Sequence, residues 1–247
     1  MTVSNPHPTS HIQHPGILYG IGVGPGDPEL LTIKAVNVLR KVGVIAIPKS
    51  GEEAGSKALS VMEKVVDLNG KEILELVLPM TKDKDVLLKA RKDAVLLLAE
   101  RLKNGSDVAC ITIGDPLFYS TFSYLIPFIM DILPGVEIKI ISGISSINAA
   151  AGSALMPLVE ADERIAIIPA AYGERDLKKV IEGFDTVVLM KVNKVFDRIL
   201  SVLNELGLKE KAVFISKAGW PDEEVVRDMD SLKDKKIDYF SMVIVKK

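Results

Sequence analysis

From residue 16 onward, short apolar runs alternate with segments of helical period. Residues 18–22, 44–47, 72–78, 107–113, 136–141, 164–168, 186–190, 212–216 and 240–245 read as strands. They are rich in Val, Ile and Leu and bounded by turn-forming residues. Between them, apolar positions three and four residues apart predict helices over 28–41, 56–66, 85–103, 176–182 and 194–206, with an Ala-rich one after residue 146. In the first of these, Leu30, Leu31, Ala35, Val38 and Leu39 form the stripe; the last stops at Gly207. Such alternation predicts an α/β fold with parallel strands covered by helices. The order places one α/β domain over 16–125 and a second over 126–247, with a helix near 120–134 crossing between them.

Composition narrows the function classes. The chain has 247 residues, 48% of them apolar and only 5% aromatic, with a formal charge of −2. No long basic run asks for nucleic acid. The only cysteine, Cys110, lies in the apolar run DVACITI and reads as core. All three histidines (His7, His11, His14) fall in residues 1–15, a Pro- and Ser-containing stretch read as a flexible tail. The folded body is thus without histidine, which argues against Ser-His-Asp, Cys-His and His-bound zinc chemistry, and no metal site is expected. Residues 140–159 carry no charge but are broken by Ser, Gly and Pro, so no membrane span is expected. With no secretory leader visible, a cytoplasmic location is expected.

The most informative stretch is LYGIGVGPGDPELLT at 18–32, an apolar strand running into Gly22, Gly24 and Gly26, then Asp27-Pro28. Asp27 suits an N-cap and Pro28 a first helical turn. The glycine spacing is GxGxG and the second strand ends in Lys49, whereas a nicotinamide dinucleotide site wants GxGxxG and an acidic residue there. GEEAGSK at 51–57 fails as a phosphate loop, because its glycines are too close and Ala58 stands where a magnesium-binding hydroxyl belongs. A second Gly-Asp-Pro at 114–116 follows the strand at 107–113. Two such turns at carboxyl ends of parallel strands face one edge of a sheet, where open α/β folds bind ligands.

Together GPGDPxLLT at 24–32, GDPxxYS at 114–120, GxSS at 143–146, VVLMKV at 187–192 and KAGWP at 217–221 resemble the tetrapyrrole methylases, class III S-adenosylmethionine-dependent methyltransferases. PKS at 48–50, PMT at 79–81, YSTF at 119–122 and YFS at 239–241 are most similar to the branch acting on carbon 20 of precorrin-2 or its cobalt complex. One departure is Ser142-Gly143, where many members have Pro-Gly. The resemblance implies two α/β domains with an active-site trough between them, a homodimer, and a methyl donor that leaves as S-adenosylhomocysteine. It carries donor contacts to Pro25, Gly114, Asp115, Phe118, Ser145, Ser146, Met190 and Gly219. Each also has a plainer reading: Met190 as strand core, Ser145-Ser146 as a helix cap, Gly219 as a turn glycine.

A methyl group on carbon 20 requires that a proton leave. Asp27 and Tyr119 are the candidates, with capping and packing as their alternatives. The substrate's ring of carboxylates points to lysines at strand ends, namely Lys49, Lys82, Lys191 and Lys217. Two other readings stay open: a methylase of the same family working on another ring carbon or acceptor, and a non-catalytic tetrapyrrole-binding protein of the same fold.

Overall fold

The computed structural model describes residues 15–51, 53, 55–170 and 177–247. The histidine-containing stretch therefore lies outside the described residues, except for Pro15. By contact the described residues divide into two units, one of those up to 22 and from 32 to 142, the other of residues 23–31 and those from 143 onward.

The first unit is built on a five-stranded sheet of β1 (Leu18–Gly22), β2 (Val44–Lys49), β3 (Glu72–Val77), β4 (Val108–Thr112) and β5 (Ile138–Ile141). Their order is β3-β2-β4-β1-β5, and every pairing is parallel. One face is packed by α3 (Lys84–Lys103) and α4 (Phe122–Ile132), whose Leu98, Leu102, Phe122, Leu125 and Ile129 join Leu18, Ala46, Val108 and Cys110 in one core. Strand alternation turns Ile45, Ile47 and Ile111 to the opposite face. They are buried there, as are Ala35 and Leu39 of α1 (Ile33–Lys41) and Val61 of α2 (Lys57–Met62). Burial on both faces is why β1, β2 and β4 read as continuous apolar runs.

The second unit carries a mixed sheet of β6 (Ile165–Pro169), β7 (Thr186–Met190), β8 (Ala212–Ser216), β9 (Glu224–Val226) and β10 (Ser241–Lys246). The order is β6-β7-β10-β8-β9. β6 and β7 are parallel, whereas β10 runs antiparallel to both of its neighbours and β9 antiparallel to β8. Val187, Leu189, Phe214, Val243 and Val245 face α6 (Leu177–Gly183) and α7 (Phe196–Glu205). The alternate residues Val188, Val213, Ile215, Met242 and Ile244 pack with Ile147 and Ala150 of α5 (Ser146–Ser153). The expectation of parallel strands holds for the first sheet only.

Three further expectations change. The helix read over 28–41 is a single 3-10 turn, Pro28–Leu30, an extended Leu31 (ψ 134°), and then α1 with its own N-cap at Thr32. Likewise the second Gly-Asp-Pro opens a loop, and α4 begins only at Phe122. The chain segment after residue 125, read as the start of the second domain, continues α4 and adds β5 beside β1 in the first sheet. No helix among the described residues is long and apolar enough to cross a membrane.

Candidate functional site

In the first unit the strand ends bring several expected residues to one edge. β1 and β4 are parallel neighbours with Gly22 opposite Thr112, so both glycine-bearing loops leave that edge. Within the loop after β4, Gly114 adopts φ 73°, Asp115 Oδ1 accepts from the Leu117 N–H at 2.9 Å, and the Asp115 carbonyl accepts from the Phe118 N–H. Phe118 and Tyr119 meet edge to face at 5.0 Å, both exposed, with Tyr119 held at φ 50°. The foot of the loop is fixed by the buried Ser120, whose Oγ donates to Thr112 Oγ1 and accepts from the Phe122 N–H. Lys49 closes β2 on the same edge, yet its ammonium is nearly buried and bonds Glu75 Oε2 at 3.0 Å. Lys82 follows β3 and is exposed.

The second unit gathers the others. The 23–31 loop lies here, and Asp27 Oδ1 accepts from the Glu29 N–H at 2.9 Å, which is the N-cap. Across from it stands the turn after β8. Gly219 has φ 79°, and a Cβ added to it would stand 2.9 Å from Cγ of Pro25 and 3.5 Å from the Asp27 nitrogen. Position 219 therefore requires glycine twice over, for its backbone angle and for the approach of Pro25. Gly26 is constrained by approach alone, because a Cβ there would fall 2.4 Å from Trp220 Nε1. Pro25, Asp27 and Gly219 are thus one cluster; the sequence missed Trp220, whose signal was its place beside Gly219 in KAGWP.

Met190, half-buried at the end of β7, packs into the cluster that holds Ala218 and the α5 residues Ile147 and Ala150. Ser145 caps α5, accepting from the Asn148 N–H and donating to Asn148 Oδ1 at 2.7 Å, and Ser146 is its first residue. Lys191 and Lys217 follow β7 and β8 directly, both left-handed (φ 57° and 52°). Their N–H groups donate to the Ser241 and Phe240 carbonyls on either side of the start of β10. Lys217 Nζ bonds Asp222 Oδ2 at 2.5 Å, with Asp238 at 3.9 Å, and its pKa is raised chiefly by the Asp222 bond. Burial pushes the Cys110 thiol up to about 12, in keeping with a core role. No group of acidic, Cys or His side chains able to hold a metal occurs among the described residues.

Residues 17–231 match the family model of the tetrapyrrole (corrin/porphyrin) methylases. This chain belongs to that family. Among its relatives, a probable cobalt-precorrin-2 C(20)-methyltransferase of Methanocaldococcus jannaschii is 41% identical, over 93% of this chain and 96% of the relative. A precorrin-2 C(20)-methyltransferase from Sinorhizobium sp is 30% identical, over 93% and 95% respectively. Methylase folds already solved are similar throughout. A cobalt precorrin-4 methyltransferase gives a TM-score of 0.69 at 23% identity, covering 93% of this chain and 94% of its own. A uroporphyrin-III C-methyl transferase from Thermus thermophilus, solved with S-adenosyl homocysteine, gives 0.66 at 22%, covering 94% and 98%. At that identity the likeness establishes the shared α/β fold.

Proposed function

We propose that this methylase transfers a methyl group from S-adenosylmethionine to carbon 20 of precorrin-2 or its cobalt complex in cobalamin biosynthesis, acting as a cytoplasmic homodimer. One observation carries the reading: its likeness to C(20)-methyltransferases runs over nearly the full length of both chains.

The residues fit a methyl donor of this kind. Adenosyl and methionyl groups need main-chain donors and acceptors and some apolar surface, and few charges. Gly114, Asp115 and Gly219 offer main chain held open by left-handed glycines. Pro25, Phe118 and Met190 offer apolar surface, and Ser145 and Ser146 offer hydroxyls. When bound, the donor supplies a methyl group already activated on a sulfonium. The protein's share is then alignment and exclusion of water, worth on the order of 7–11 kcal/mol.

Asp27 is assigned to the carbon-20 proton: Oδ1 keeps the cap, leaving Oδ2 as an acceptor. Tyr119 is assigned to positioning the macrocycle, with its exposed ring beside Phe118. Lys82 and Lys191 are assigned to substrate carboxylates. Lys49 and Lys217, at the expected strand ends, bond Glu75 and Asp222 in this structure and are assigned to the same carboxylates.

Calorimetry with S-adenosylmethionine, followed by anaerobic incubation with precorrin-2 and its cobalt complex, tests the reading. A single methyl located at carbon 20 by NMR is expected, and sedimentation at twice the chain mass. Methylation of another ring carbon would assign the chain to a different branch. Tight macrocycle binding without turnover would make it a binding protein.

A further inference from the structure

The 23–31 loop and the turn after β8 come from opposite ends of the chain, yet they interlock closely. Where a side chain at position 26 would stand, the Trp220 indole already lies, with Nε1, Cδ1 and Cε2 at 2.4, 2.5 and 2.6 Å from the Cβ position. Gly219 meets Pro25 in the same manner. The turn itself is closed by main-chain bonds, from the Trp220 N–H to the Lys217 carbonyl at 2.9 Å and from the Glu223 N–H to the Trp220 carbonyl at 3.0 Å. Its outer side is braced by Lys217 on Asp222.

The Gly219 N–H is the exception. It donates to a side chain, Glu223 Oε2, at 2.6 Å. Glycine in the left-handed region is the softest joint a chain can have, because no side chain narrows its choice of angles. A carboxylate acceptor on that amide makes a shorter and stronger bond than a neutral oxygen would. The same bond holds the peptide between Ala218 and Gly219, one joint before Trp220, and so bears on where the indole rests on Gly26.

We propose that Glu223 is a positioning residue for the methyl-donor loop. Through Gly219 and Trp220 it fixes where Pro25 and Asp27 stand. The assignment rests on the function proposed above, since it takes Pro25 and Asp27 to serve the donor and the reaction. It predicts that Glu223 sets donor affinity without touching the reacting atoms.

The chain contains a single tryptophan, so its emission reports on the surroundings of this one indole. In the protein without ligand, Glu223→Ala should shift Trp220 emission to the red and speed amide exchange in residues 23–31. It should weaken S-adenosylmethionine binding about tenfold by calorimetry. The KM for the donor should rise by a similar factor; at saturation the bound donor reseats residues 23–31, Asp27 included, and kcat stays within about twofold of wild type. Glu223→Gln keeps an acceptor oxygen and should restore emission, exchange and affinity to within about threefold.

Wild-type emission and affinity in Glu223→Ala would overturn the proposal. So would a Glu223→Gln variant as impaired as Glu223→Ala while both retain wild-type circular dichroism. If Glu223→Ala fails to fold, the Gln variant and Trp220→Phe decide: the proposal requires the first to behave as wild type and the second to loosen residues 23–31 in exchange. Should the wild-type protein bind no S-adenosylmethionine, the functional reading falls, whereas emission and exchange still decide whether Glu223 holds the loop.

Discussion

Cys110 stands wholly buried in β4, and burial alone raises its pKa from 9.0 to about 12. The folded state therefore keeps a proton that the unfolded chain loses from pH 9 upward, so stability falls with rising pH between those values. At full effect the slope is about 1.4 kcal/mol per pH unit. In urea titrations the slope of wild type over this range should be steeper than that of Cys110→Ala, and the two should run parallel below pH 8. Asp27 offers a second test at this scale. Asp27→Asn retains the capping oxygen and removes the proposed base, so kcat should fall about a hundredfold with the unfolding midpoint little changed. Asp27→Ala should add a loss of about 1 kcal/mol in stability. The cap at Asp27 and the core position of Cys110 were legible in the sequence, because both depend on near neighbours. The pairing of Lys49 was not, since Glu75 lies on β3 and only strand order brings them together.

Among elements, α3 shows how local chemistry sets a boundary. Asp83 Oδ1 accepts from both the Asp85 and Val86 N–H groups, two donors that the helix cannot satisfy itself. Asp83→Ala should lower the unfolding free energy by about 1 kcal/mol by urea denaturation, leaving donor binding unchanged. Thr186–Met190 and Ala212–Ser216 were found residue for residue from their apolar runs. Direction was not. A strand buried on both faces carries no polar side to tell parallel from antiparallel, so β10 gave no sign of its reversal. The break at Leu31 was hidden for a similar reason: Leu30, Leu31 and Ala35 keep a helical rhythm across it, while Thr32 supplies a second cap that the periodicity overlooks.

For the molecule as a whole, donor binding should register as stability. A ligand that binds only the folded state at a hundred times its Kd adds about 2.7 kcal/mol, so S-adenosylmethionine should raise the unfolding midpoint in proportion to the logarithm of its concentration. Scanning calorimetry over a range of donor concentrations checks this, and no shift would count against the donor site. The α/β class and the residues of both glycine loops were legible because turn chemistry is written locally. The division of the chain was not. Sheet pairing places β5 with the first unit, and contacts place residues 23–31 with the second.

The grouping of 23–31 with the turn at Lys217–Trp220 also has a consequence for synthesis. The loop emerges from the ribosome immediately after β1. Its partners Gly219 and Trp220 are made only after β8. At roughly 5–20 residues per second the wait is on the order of ten seconds or more. The other four strands of the first sheet, β2 to β5, are translated within that interval. The loop read as holding the methyl donor therefore finds its place only after the first sheet is complete.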